Sequence, residues 1–239
     1  MAELIVALDV PRQDTALELA GKLRGLVPWC KVGMELFTLA GPDLLARLKG
    51  MGFRVFLDLK FYDIPHTVGQ AVKAAAAVGV DLRTLHCPGG ERLCREARAA
   101  VNSLGSIVPA RPLLFGVTVL TSFAAGEMPG INAAPADFAQ ALARNAQDWG
   151  LDGVVCSGQE AARIKATAPA LRCLCPGIRP AGSDAGDQRR IMTPAAAVAA
   201  GADYLVVGRP ILAAPSPADA ARQITAEMAT GLSNTQPRD

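Results

Sequence analysis

Residues 53–78 read FRVFLDLKFYDIPHTVGQAVKAAAAV, and they hold one complete unit of the fold. Branched and aromatic side chains dominate the first part, which predicts a strand over 53–60. Pro65 stands near the first turn of an Ala- and Val-rich stretch, which predicts a helix over 65–78. The same alternation extends in both directions. Further strands are predicted over 4–9, 30–34, 81–86, 113–120, 153–156, 171–175 and 204–207. The matching helices are predicted over 14–26, 42–49, 91–104, 136–149, 160–167, 194–200 and 217–230. Eight strand-then-helix units in one chain predict a (β/α)8 TIM barrel, an α/β fold with its sheet closed on itself. The barrel is assigned to residues 1–232 as a single domain, and 233–239 to a polar C-terminal tail. A doubly wound open sheet is the rival. It usually has fewer strands, and no G-x-G-x-x-G opens the chain, nor does a P-loop motif occur.

The composition fits this reading. The chain has 239 residues, 51% of them hydrophobic, with 24 basic and 22 acidic side chains and a formal charge of +2. That supplies ample core and no basic run, so nucleic acid is not expected as a partner. The apolar runs fall short of the ~20 residues of a membrane span. MAELIVALD at 1–9 lacks the basic start of a signal peptide and reads as a buried strand. The six cysteines form no C-x-x-C pair and there are two histidines, His66 and His86, so the thiols read as small buried hydrophobes. Free thiols without an export signal point to the cytoplasm.

In such a barrel the chemistry gathers at the C-terminal ends of the strands. Those ends carry Asp9, Asp58 with Lys60, His86, Thr118 and Thr121, while Lys31 stands near the start of the second strand between Cys30 and Val32. Asp63 and Thr67 follow the third strand, Pro176 and Arg179 the seventh, and Gly208 and Arg209 the eighth. Period-2 alternation puts Asp58 and Lys60 on one side. Each residue has a plainer reading. Asp9 could cap the next helix, His86 could be a packing residue, and Arg189 and Arg190 read as a solvated pair. Lys31 inside an apolar run is harder to explain this way, because an unpaired buried ammonium is costly. The run Asp58-x-Lys60-x-x-Asp63 is the strongest signal of a functional rim.

Two features suggest a phosphate. Barrels often bind one with the loops after strands seven and eight. Gly208 allows close backbone approach, and Arg209 supplies a fixed positive charge. The Gly/Ser/Asp-rich segment 176–190 reads as a mobile lid, with the Gln188 amide able to close over that phosphate.

Several separated motifs together resemble those of the orotidine 5′-phosphate decarboxylase family. They are ALD at 7–9, KVG at 31–33, FLDLKFYDIPHTV at 56–68, VTVLTS at 117–122, PGIRP at 176–180, GDQRRIMTP at 186–194 and VVGRPI at 206–211. The family commonly has His where Tyr62 stands and Asn where His66 stands. The resemblance implies decarboxylation of orotidine 5′-phosphate to UMP, the last step of UMP synthesis, with no cofactor and no metal. It implies a homodimer whose Asp63 and Thr67 reach into the partner's site. Lys60 would be the proton donor, and Lys31, Asp58, Lys60 and the partner subunit's Asp63 would form an alternating charged chain. Asp9 and Thr67 would bind ribose hydroxyls, Thr121 would lie near the pyrimidine, and Pro176, Arg179, Gln188, Gly208 and Arg209 would grip the substrate and its phosphate.

Losing CO₂ from C6 leaves an in-plane lone pair that the ring delocalises poorly, so fixed charge in a water-poor pocket must stabilise it. A metal-dependent sugar-phosphate decarboxylase shares D-x-K-x-x-D but prefers an acidic residue near the position of Lys31. A non-catalytic phosphosugar-binding barrel would not need Lys60 between two aspartates.

Overall fold

The computed structural model describes residues 2–105, 111–181 and 190–233. Eight parallel strands close into one barrel in sequence order. They are β1 (Glu3–Ala7), β2 (Trp29–Gly33), β3 (Arg54–Phe61), β4 (Leu82–His86), β5 (Leu113–Val117), β6 (Gly153–Val155), β7 (Arg172–Cys175) and β8 (Tyr204–Val207). Helices α1 (Gln13–Leu23), α2 (Met34–Gly50), α3 (Pro65–Ala77), α4 (Gly90–Asn102), α5 (Pro135–Asp148), α6 (Gly158–Thr167), α7 (Pro194–Ala199), α8 (Arg209–Leu212) and α9 (Pro217–Ser233) surround it. Among the described residues, no helix is long and apolar enough to cross a membrane.

The predicted barrel is therefore present, with local differences. Helix α2 starts at Met34 rather than at 42, because two helical segments join at Gly41, whose φ of 63° only glycine adopts readily. Helix α1 stops at Leu23, before the positive-φ Gly25. Asp9 lies beyond β1, and Thr118 and Thr121 lie beyond β5, so these side chains sit on loops just above the barrel. The closing helix runs to Ser233, and 234–239 of the expected tail lie outside the described residues.

Alternation sorts each strand into an inner and an outer face. Ile5 and Ala7, Trp29, Phe56, Leu82, Phe115, Leu174, and Tyr204 and Val206 fill the barrel. Their sequence neighbours Leu4, Val6, Cys30, Val32, Val55, Leu57, Cys173 and Leu205 pack outward under the helices. All six cysteines are free and buried. The lower barrel is an aromatic floor. Trp29 and Phe115 each meet the Tyr204 ring edge-on at 5.8 Å. Trp29 Nε1 donates to Glu3 Oε2 at 2.9 Å, and Arg54 stacks over the indole while pairing with Glu3. Along the inner face, apolar residues below therefore give way to polar ones above: Trp29 to Lys31, Phe56 to Asp58 and Lys60, Leu82 to Thr84 and His86.

Three Gly-x-Asp triplets clamp the opposite end. Asp81, Asp152 and Asp203 precede β4, β6 and β8, and each follows by two residues a glycine with φ between 80° and 94°. Their carboxylates accept the main-chain N–H of Val55, Leu114 and Cys173, each at 2.7 Å. Each also pairs with a cation from the helix that leads into that neighbouring strand: Lys49 of α2 at 2.8 Å, Arg98 of α4 at 2.6 Å and Lys165 of α6 at 2.7 Å. One side chain thus ties two strands and a helix together at the face where barrels invest in stability.

Candidate active site

A pocket of 540 Å³ opens among the C-terminal strand ends, within the range that suits a small-molecule ligand. Phe56, Val117, Val155, Leu174 and Val206 form its apolar lower wall. Asp9, Lys31, Asp58, Lys60, Thr121, Pro176, Arg179, Gly208 and Arg209 also line it. The structure thus gathers nine of the twelve residues assigned to the site from the sequence.

The charged groups alternate. Lys31 Nζ lies 2.8 Å from Asp9 Oδ1 and 3.7 Å from Asp58 Oδ2, and Lys60 Nζ lies 2.9 Å from the same Asp58 oxygen. The sequence Asp9, Lys31, Asp58, Lys60 therefore reads minus, plus, minus, plus across three strands. Asp9 pairs with Lys31 and does not cap α1, whose N-cap is Arg12. Gly33 leaves room for that pairing: a Cβ there would come within 3.1 Å of Lys31 Nζ and 3.2 Å of Asp9 Oδ1, so both side-chain ends would have to shift. A Cβ on Gly208 would meet nothing closer than 3.5 Å, so the chain's own packing does not demand glycine at that position.

A bulge aims Lys60. β3 and β4 are in register at Leu57 opposite Arg83 and again at Phe61 opposite Leu85. Asp58, Leu59 and Lys60 thus face Thr84 alone. The extra length is absorbed at Lys60, whose φ of 51° makes it the one non-glycine residue with positive φ among those described. Such backbones concentrate at functional sites. Thr84, fully buried, accepts the Lys60 main-chain N–H at 3.0 Å and donates to Asp58 Oδ1 at 2.9 Å. Burial pushes the Asp58 carboxyl up, but the charges of Lys60 and Lys31 and the hydrogen bonds from Lys60 and Thr84 outweigh it and hold its pKa below 3.8. Thr84 was not singled out from the sequence, although its place two residues before His86 put both on the inner face.

Asp63 and Thr67 are not brought to this pocket. Both are exposed on the rim at and just before the start of α3, where Asp63 Oδ1 accepts the Ile64 N–H at 2.6 Å. His86 is half-buried, 5.5 Å from the Tyr62 ring, and its pKa is lowered by burial and then by the Lys60 charge, against the pull of Asp58.

Gln188 and 182–189 of the expected lid lie outside the described residues. The flanks of that segment are tied together: Ile178 and Met192 form a bridge, and the Arg179 N–H donates to the Met192 carbonyl at 2.9 Å. Arg190 is not a solvated residue. Its guanidinium pairs with Glu160 of the α6 capping box and donates to the Leu120 carbonyl at 3.0 Å. It thereby joins the loop after β5, which carries Thr121, to the start of α6. No short-range pattern in the sequence marks this link, because its partners lie 30 and 70 residues away.

Residues 2–224 match the family described as Orotidine 5′-phosphate decarboxylase / HUMPS family. A protein of Nitratidesulfovibrio vulgaris named orotidine 5′-phosphate decarboxylase is 55% identical over 96% of this chain and 98% of its own length. One of the same name from Lawsonia intracellularis is 51% identical over 91% of this chain and 95% of its own. The crystal structure of orotidine 5′-phosphate decarboxylase from Lactobacillus acidophilus superposes with a TM-score of 0.83 at 33% identity, covering 95% and 99% of the two chains.

Proposed function

Since the chain belongs to the orotidine 5′-phosphate decarboxylase / HUMPS family, we propose that it decarboxylates orotidine 5′-phosphate to UMP with Lys60 as the proton donor. The observation that carries this reading is the Lys60 ammonium held 2.9 Å from Asp58 in the pocket. The C6–carboxylate bond breaks and its electron pair stays on C6. CO₂ leaves, and an N–H proton of Lys60 moves to C6, leaving a neutral amine that regains a proton from water. The carbanion lies in the ring plane, so preorganised positive charge is the main stabilisation available to it. Asp58 keeps Lys60 charged and oriented, and Lys31 offsets the negative charge of Asp58 and Asp9.

The remaining roles follow the placement of each side chain. Asp9 is positioned for ribose hydroxyls and Thr121 for the pyrimidine. Pro176, Arg179, Gly208 and Arg209 would hold the substrate and its phosphate, together with Gln188. Lys31 also separates this reading from a metal-dependent sugar-phosphate lyase, because an ammonium between Asp9 and Asp58 opposes a divalent cation there.

The site we propose is shared between two subunits of a homodimer, with the partner subunit's Asp63 and Thr67 completing it. Asp63 and Thr67 stand outside their own pocket, beside Tyr62 and Ile64, which are 62% and 67% exposed; large apolar side chains left open beside them support a partner at this rim. Six buried free thiols suit a reducing cytoplasm.

The test is the absorbance of orotidine 5′-phosphate on mixing with enzyme. Lys60→Ala is expected to lower turnover by at least about 10³-fold with the fold intact. Near-normal turnover in that variant would overturn the role of Lys60.

A further inference from the structure

Resting on the reading of Lys60 as proton donor, we propose that Thr84 is the positioning residue that fixes the Lys60 ammonium on the reacting carbon. The bulge in β3 leaves three residues opposite one and breaks the ladder where the catalytic pair sits. The Thr84 hydroxyl replaces the missing connections. It accepts from the Lys60 main chain at 3.0 Å and donates to Asp58 Oδ1 at 2.9 Å, while Lys60 Nζ closes the ring on Asp58 Oδ2 at 2.9 Å.

A hydroxyl has one proton to give. With an N–H on one side and an ionised carboxylate on the other, its direction is set and the ring has one hydrogen-bond polarity. Both ends of the Lys60 side chain are thereby anchored: the backbone in its left-handed conformation, the ammonium through an Asp58 whose other oxygen Thr84 holds. Thr84 is fully buried on the inner face of β4 and does not line the pocket. It acts on geometry at C6 and leaves the contacts to ribose and phosphate alone.

The experiment compares Thr84→Val, Thr84→Ser and Lys60→Ala for kcat, for UMP affinity by calorimetry and for Tm. Valine keeps the shape and deletes both hydrogen bonds; serine keeps the hydroxyl. Thr84→Val is expected to lower kcat about 10- to 100-fold, the scale of a small misplacement of a reacting group, with UMP affinity unchanged. Thr84→Ser is expected to recover most of kcat. The proposal is overturned if Thr84→Val turns over like the wild type, if it loses UMP affinity in proportion to kcat, or if Thr84→Ser is as slow as Thr84→Val. Should Thr84→Val not fold, Thr84→Ala against Thr84→Ser carries the same comparison. An active Lys60→Ala would refute the reading of Lys60 itself, whereas an inactive Lys60→Ala beside a fully active Thr84→Val would refute the role of Thr84 alone.

Discussion

Lys60 and Asp58 are joined twice, once directly at 2.9 Å between ammonium and carboxylate and once through the buried Thr84 hydroxyl that contacts both. They are two residues apart on a strand, a spacing that only puts side chains on one side. The left-handed turn at Lys60 brings the two groups into contact. The pair behaves as one charged unit, and its neighbours feel it.

His86 reports on that unit. Burial lowers its pKa below 6.5, the Lys60 charge lowers it further, and Asp58 opposes both. Removing the ammonium in Lys60→Ala deletes a lowering influence and leaves the full negative charge of Asp58, so the His86 titration midpoint is expected to rise. With two histidines in the chain, NMR of the imidazole Cε1–H follows it directly, and a His66→Gln variant assigns the signals. A midpoint that stays or falls would show that His86 does not sense Lys60. The depressed value also carries a sign for stability. The unfolded chain binds this proton more readily, so His86 contributes fully above pH 6.5 and its contribution is lost as pH falls through its lowered pKa.

Arg209 tests the phosphate reading. It is exposed at the start of α8 and lines the pocket. A charge-assisted hydrogen bond contributes about 1.5–3 kcal/mol, so Arg209→Ala is expected to weaken UMP binding about 10- to 150-fold. Uridine, which lacks the phosphate, should bind both proteins alike. Equal losses for UMP and uridine would place Arg209 on the nucleoside instead.

The barrel was legible because each βα unit carries its own local signal, and the Asp58–Lys60 pair because strand alternation is a two-residue rule; the place of Asp9 beside Lys31 was not, because it depends on how two neighbouring strands are aligned. The first helical segment of α2, before the break at Gly41, was missed because Gly41-Pro42 reads as the start of a helix and not as a joint between two. Thr84 was missed because a hydroxyl on an inner face reads as packing until the bulge opposite it is known. Arg190 read as solvated because its partners on the β5 loop and α6 meet it only in the closed barrel. The Gly-x-Asp triplets recur at unequal intervals, so no fixed period exposes them.

The shared site makes a prediction about mixtures. Lys60→Ala and Asp63→Ala homodimers should both be nearly inactive. In a heterodimer of the two, one site combines Lys60 from the Asp63→Ala subunit with the partner's Asp63. Random reassortment puts half the dimers in that form with one intact site of two, so mixing is expected to restore about a quarter of wild-type activity. A mixture that exchanges subunits yet stays inactive would place Asp63 in its own chain's site.

The clamps at the far end of the barrel separate stability from activity. Asp152 accepts the Leu114 N–H at 2.7 Å and pairs with Arg98 at 2.6 Å, which itself donates to the Gly150 carbonyl at 2.7 Å. Asp152→Ala leaves a main-chain donor of β5 and a half-buried guanidinium without that partner. A loss of about 1–3 kcal/mol follows for an unsatisfied buried donor, or about 2–12 °C in Tm for a chain of this size. Asp219 pairs with Arg222 on the solvent face of α9, both well exposed, so either group can exchange its partner for solvent. Asp219→Ala should therefore leave Tm where it was. Turnover at 25 °C should be that of the wild type in both variants, because the triplets lie at the end of the strands away from Lys60. An Asp152→Ala protein with unchanged Tm would show that the repeated aspartates do not hold the barrel closed, and one with normal Tm but impaired turnover would tie the base of the barrel to its chemistry.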